Sequence, residues 1–95
     1  MNKYELVVVF NGNLEDDEKS AALERVSGYV TRFGGEITEV VDWGKMRLAY
    51  EIQKMSEAYY YIVRFNAPFD APAQIEYNLR IMEQVIRFLI VKQEA

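Results

Sequence analysis

Ninety-five residues, 51% hydrophobic and including seven Tyr, five Phe and one Trp, supply one core and leave no length for a second. Cysteine and histidine are both absent, which removes disulfides, thiolate and imidazole metal sites, cysteine nucleophiles and the usual general base near neutral pH. Eleven basic against 15 acidic residues give a formal charge of −4; that is the wrong sign for holding nucleic acid by bulk charge, so anion binding has to come from local placement.

The chain begins on Asn2-Lys3-Tyr4-Glu5 without an apolar signal core, and its longest apolar runs, 6–10 and 88–91, are too short to cross a bilayer. A cytoplasmic protein is the expectation. Leu6 to Phe10 is apolar at every position, which predicts a central strand covered on both faces, ended by Asn11-Gly12-Asn13. A helix should follow. Asp16, Asp17 and Glu18 suit its N-terminus, Ala22, Val26, Tyr29, Val30 and Phe33 form one apolar stripe, and Gly34-Gly35 supplies the stop.

Glu36 to Ile52 reads as one long strand in which Gly44 marks a bulge. A turn over Lys54-Met55-Ser56-Glu57 should lead into a third strand, Tyr59 to Phe65, making a hairpin. Asp70 then looks like the N-cap of a second helix, with Pro72 in its first turn and Ile75, Leu79 and Met82 buried. Val85 to Lys92 is the last strand. The order β-α-β-β-α-β over residues 1–95 is that of a single α+β domain of the ferredoxin-like class, a four-stranded antiparallel sheet ordered 4-1-3-2 with two helices on one face.

Little here could catalyse. Glu15-Asp16-Asp17-Glu18 is the densest carboxylate group, but successive residues at a helix start point in different directions and do not converge on a cation. Gly34-Gly35 lacks the lysine and spacing of a phosphate loop. No metal site, cofactor or small-molecule substrate is expected. Tyr59-Tyr60-Tyr61 can be read as a base-stacking platform on an open sheet or, with more weight, as cross-strand packing. Lys45 and Arg47 fall two apart after Gly44, hence on one face of the hairpin, with Lys54 near its tip. Lys3 and Lys92 fall at one end of neighbouring strands, with Arg64 nearby. Each could be an ordinary solvated edge residue; together they could hold phosphates.

Lys3-Tyr4-Glu5, the segment Asp42-Trp43-Gly44-Lys45 running through Arg47-Leu48-Ala49-Tyr50-Glu51-Ile52, and the closing Val85-Ile86-Arg87-Phe88-Leu89-Ile90-Val91-Lys92 resemble the family of bacterial small-subunit ribosomal protein six. The resemblance covers nearly the whole chain. It implies a ferredoxin-like fold, no enzymatic activity, and a ribosome-associated role in the cytoplasm. The family binds the central domain of 16S ribosomal RNA as a heterodimer with small-subunit ribosomal protein eighteen and assists platform assembly. It implies rRNA-binding roles for the matching basic positions Lys3, Lys45, Arg47 and Lys92, to which Lys54 and Arg64 are added by their predicted placement. Met46 departs from the family, which usually carries a second basic residue there. Trp43 is expected to pack rather than stack on a base. Leu48, Tyr50 and Ile52, on the second strand and hairpin, are candidates for the partner surface. Two other classes stay open: an amino-acid-sensing domain, for which Asn11-Gly12-Asn13 would be a poor ligand loop, and a small dimeric α+β-barrel enzyme, which the missing histidine disfavours.

Overall fold

A computed structural model describes residues 1–52 and 55–93, with the backbone alone at 49–52, 55 and 56. The elements are β1 (Asn2–Asn11), α1 (Asp16–Arg32), β2 (Glu36–Ile52), β3 (Met55–Ala67), α2 (Ala71–Arg80) and β4 (Val85–Gln93). They form one sheet ordered β2-β3-β1-β4 with every neighbouring pair antiparallel. This is the expected topology, counted from the other edge.

The side-chain period of two sorts β1 into its faces. Tyr4, Leu6, Val8 and Phe10 are buried under the helices, against Tyr61, Val63, Phe65 and Ala67 of β3. Two aromatic pairs tie these strands, Tyr4 stacked on Phe65 and Phe10 tilted against Tyr61, each with ring centroids 5.5 Å apart. The helices close this side with Ala22, Val26 and Val30 of α1 and Ala71, Ile75 and Leu79 of α2. Burial at this level contributes about 1.5–3 kcal/mol for each large side chain. On the opposite, helix-free face a smaller cluster joins Val9, Leu48 and Ala58, with Tyr60 and Ile86 packed against it.

The punctuation is chemical. The acidic start of α1 is capped by a reciprocal box: Glu15 accepts from the N3 amide, and the Glu15 N–H donates to Glu18 at 3.1 Å. At the other end Gly34, at φ +86°, donates to Thr31 O and Gly35 donates to Val30 O, the paired bonds of a left-handed C-terminal cap. Asp70 stands at the N-cap of α2, but no side-chain bond to the helix comes from it.

Two expectations need correction. The turn placed over 54–57 does not take in Met55, Ser56 and Glu57, because β3 already begins at Met55, with Ile52 opposite Met55 and Arg47 opposite Glu57. β-pairing thus claims residues whose composition reads as loop. Trp43, expected to pack, is 53% exposed. The register passes from Asp42↔Tyr61 to Gly44↔Tyr60, so Trp43 is the extra residue of a bulge and has no partner across the ladder.

Candidate RNA- and partner-binding surface

The bulge is built by three consecutive residues. Gly44 takes φ +77°, a region that residues with a Cβ enter at a cost, and its N–H donates to Asp42 Oδ1 at 2.7 Å. Beyond it the alternation restarts. Lys45 stands opposite Tyr59 and Arg47 opposite Glu57, on the helix side of the sheet, while Met46 stands opposite Ala58 on the helix-free side. β1 pairing ends at Ala58, so residues 55–57 of β3 pair with β2 alone and the hairpin extends past the rest of the sheet.

At the root of the hairpin Tyr59 carries two ammonium groups. Lys19 Nζ lies 4.3 Å and Lys45 Nζ 5.6 Å from its ring centroid, within range for cation–π attraction. Lys19 also bridges to Asp16 at 3.6 Å. Burial opposes its charge, but attraction to the Tyr61 oxygen, Asp16 and Tyr59 and a hydrogen bond with Tyr61 raise its pKa. Burial, then the Asp42 carboxylate, pushes the Tyr61 hydroxyl up. The Lys19–Tyr59–Lys45 arrangement was not legible in the sequence, since Lys19 and Tyr59 are 40 positions apart and no periodicity links them.

The opposite end of the sheet holds a second polar group. A groove of about 480 Å³ is lined by Lys3, Tyr4, Thr38, Arg64, Phe65, Asn66 and Gln93. Lys3 and Arg64 do meet there. The Arg64 guanidinium is held between Glu39 and Glu5, the latter at 3.8 Å, and Gln93 donates to the same Glu5 carboxylate at 2.8 Å. Lys92 is opposite Tyr4 and so belongs to the helix side, whereas Lys3 is opposite Gln93 and Asn66 on the other side. The two lysines share an end of the sheet but not a face. Seven register steps separate the Lys3 row from the Lys45 row, about 23 Å at roughly 3.3 Å per residue. The basic candidates therefore form two groups. Lys54 lies outside the described residues.

Of the partner candidates, Leu48 is 9% exposed within the small cluster on the helix-free face. Tyr50 and Ile52 lie on the β2 backbone, and their side chains are outside the described residues. Exposed apolar surface on this strand comes instead from Trp43 and from Met46, at 42%. The tyrosine triplet is split by the pleat: Tyr61 is 4% exposed beneath the helices and Tyr59 packs at the margin of the same core, leaving Tyr60 on the helix-free face. Three adjacent tyrosines thus do not form one stacking platform. Among the described residues no group of three or more acidic side chains could hold a metal ion, and no helix is long and apolar enough to cross a membrane.

The family described as "Ribosomal protein S6" matches residues 3–92. A relative described as small ribosomal subunit protein bS6, from Alkaliphilus oremlandii (strain OhILAs), is 42% identical over 94 residues and 99% of each chain. The protein of the same description from Caldanaerobacter subterraneus subsp. tengcongensis is 38% identical over 94 residues, again 99% of each. The crystal structure of 30S ribosomal protein S6 from Thermotoga maritima matches with a TM-score of 0.92 at 25% identity, over 97% of this chain and 87% of that one. With the sheet order and the bulged second strand already in place, the chain belongs to the ribosomal protein S6 family, structural and non-enzymatic components of the small ribosomal subunit.

Proposed function

We propose that this protein binds the central domain of 16S ribosomal RNA as a heterodimer with small-subunit ribosomal protein eighteen, and so helps to fix the platform during assembly in the cytoplasm. The observation that carries the reading is the two-sided hairpin. Lys45 and Arg47 share one face of β2, and Met46 and Leu48 fall on the other, so one strand can offer cations to RNA and apolar surface to a protein. Tyr59 holds the Lys45 ammonium near its ring, which reduces the ordering cost of a phosphate contact.

In this reading Lys45 and Arg47 are the principal rRNA contacts, with Lys54 joining them by its place in the sequence. Lys3 and Lys92 contact RNA at the far end of the sheet. Arg64 contributes less there, because Glu5 and Glu39 already take its guanidinium. The partner meets the β2 edge through Tyr50 and Ile52 beside Met46, with Leu48 forming the floor. A total charge of −4 leaves the isolated protein a weak RNA ligand, so the partner has to supply the remaining cations.

A gel shift on a central-domain RNA fragment, with and without ribosomal protein eighteen at fixed salt, tests this. A shift that requires both proteins is expected. Each phosphate contact removed by Lys45→Ala or Arg47→Ala should weaken binding roughly five- to eightfold at about 0.1 M salt. Equally tight binding by the protein alone, or no effect of either substitution, would overturn the reading.

A further inference from the structure

We infer that Lys19 of α1 is a further contact for RNA phosphate, holding the same stretch of backbone as Lys45 across the Tyr59 ring. The inference rests on the RNA-binding reading above and adds to it a residue from the helical layer. Lys19 is the odd member of a regular pattern. The stripe that α1 buries is Ala22, Val26 and Val30, and Lys19 stands one turn earlier on the same face, where the period calls for an apolar residue. Its side chain is only 19% exposed, a covered stem that carries an ammonium to the Tyr59 ring. An i,i+3 bridge to Asp16 is the ordinary local reason for a cation here, but Asp16 is almost wholly exposed, and such pairs hold weakly.

Two cations share one ring. Lys19 Nζ lies 4.3 Å and Lys45 Nζ 5.6 Å from the Tyr59 centroid, so even on opposite faces the nitrogens are no farther apart than those distances laid end to end. Like charges gathered this closely repel, and an anion that meets both relieves the repulsion. Among the described residues no carboxylate does so. Asp16 pairs with Lys19 alone, Lys45 makes no ion pair, and Asp42 Oδ1 is taken by the Gly44 N–H at 2.7 Å. The Lys19 ammonium keeps its charge, its pKa being raised in spite of burial. Tyr61 takes at most one of its three donors, and Asp16, at 3.6 Å, is too far for a full hydrogen bond. Capacity is left for a phosphate oxygen.

Position supports RNA rather than a free anion. Lys45 stands opposite Tyr59 and Arg47 opposite Glu57, both on the helix side of the hairpin, which is the side that α1 covers. Lys19, Lys45 and Arg47 therefore run in order from the helical layer out along the strand. A line of cations suits a chain of phosphates better than a single ion, and neighbouring phosphates of one strand fall within the span of the two lysines.

The test uses the full chain with ribosomal protein eighteen on the central-domain fragment, with affinity measured across a salt series. Lys19→Met, which keeps an apolar stem and loses the charge, should weaken binding roughly five- to eightfold at about 0.1 M salt and reduce the log–log salt slope by roughly 0.7–0.9. Lys19→Arg should leave the slope near wild type, and Arg25→Gln, an equal loss of charge on α1, should change neither quantity. Asp16→Asn removes the carboxylate that competes with phosphate and should tighten binding roughly two- to fivefold. Asp17→Asn, exposed on the same turn and in no ion pair among the described residues, should do less. An unchanged slope in Lys19→Met while Lys45→Ala still lowers it, or an equal loss in Arg25→Gln, overturns the contact and leaves the RNA-binding reading intact. Failure of the wild-type pair to bind overturns both. Urea midpoints check the fold. Where Lys19→Met is destabilised, Asp16→Asn decides, since it keeps Lys19; binding no tighter than in Asp17→Asn then overturns the contact.

Discussion

Gly35 and Gly44 are both glycine, but they resist substitution for different reasons. A Cβ at Gly35 would stand 2.6 Å from the Val30 carbonyl oxygen, backbone that cannot yield without opening the end of α1. A Cβ at Gly44 meets nothing within 4 Å, so only the positive φ opposes it. Gly44→Ala should therefore cost about 1–2 kcal/mol and Gly35→Ala more, as read from urea midpoints. Tyr61 and Lys19 make a second residue-scale prediction. Both have folded-state pKa values raised above their ordinary values, Tyr61 through burial first and Lys19 through attractions that outweigh burial. In each case the folded state keeps its proton longer than the unfolded chain. Their contribution is fully present below about pH 10 and is lost as pH rises through the folded values. The urea midpoint should fall as pH rises above about 10, and Tyr61→Phe, which removes one group and loosens the other, should flatten that fall.

At the scale of elements, what could be read from the sequence is what local rules govern. The period of β1, the glycine stop of α1 and the Asp42-Trp43-Gly44 bulge each follow from a few adjacent residues. The start of β3 was missed because Met55-Ser56-Glu57 is drawn into strand by its partner β2, which no window on β3 alone contains. Trp43 was misjudged for a related reason, since a bulge turns out the one residue whose bulk suggests packing. The Arg64 clamp needs strands β1, β2 and β3 in register before it exists, so its placement beside Lys3 was legible and its carboxylate partners were not. The split between the faces of the sheet gives a direct check. Leu6→Ala, in the fully buried centre of β1, should cost about 2–5 kcal/mol. Leu89→Ala, at 59% exposure on the β4 edge, should stay within about 0.5 kcal/mol. Both are read by chemical denaturation.

For the whole molecule, the two basic groups stand about 23 Å apart along the sheet and share no side chain. Losses from Lys3→Ala with Lys92→Ala, and from Lys45→Ala with Arg47→Ala, should therefore add within roughly 0.5 kcal/mol when combined, since distant sites couple weakly. A larger deficit in the quadruple variant, measured by RNA titration of the heterodimer, would show that one RNA segment is being held in tension between them. In this acidic protein carboxylates come close to both groups, Asp16 to Lys19 beside the hairpin and Glu5 and Glu39 to Arg64, so RNA contact depends on which individual cations local pairing leaves open.

The bulge at Trp43 also fixes a parity. Residues 44–47 of β2 owe their face to that one uncounted position, because a strand shifted by a single residue turns its side chains over. Were Trp43 drawn into the ladder opposite Tyr60, Lys45 would come opposite Ala58 and Met46 opposite Glu57, turning the charged side of the hairpin into its oily side and the reverse. Such a slip changes no residue of the chain, yet it should abolish RNA binding more completely than substituting Lys45 and Arg47 together. The hairpin would keep its letters and lose its handedness of address.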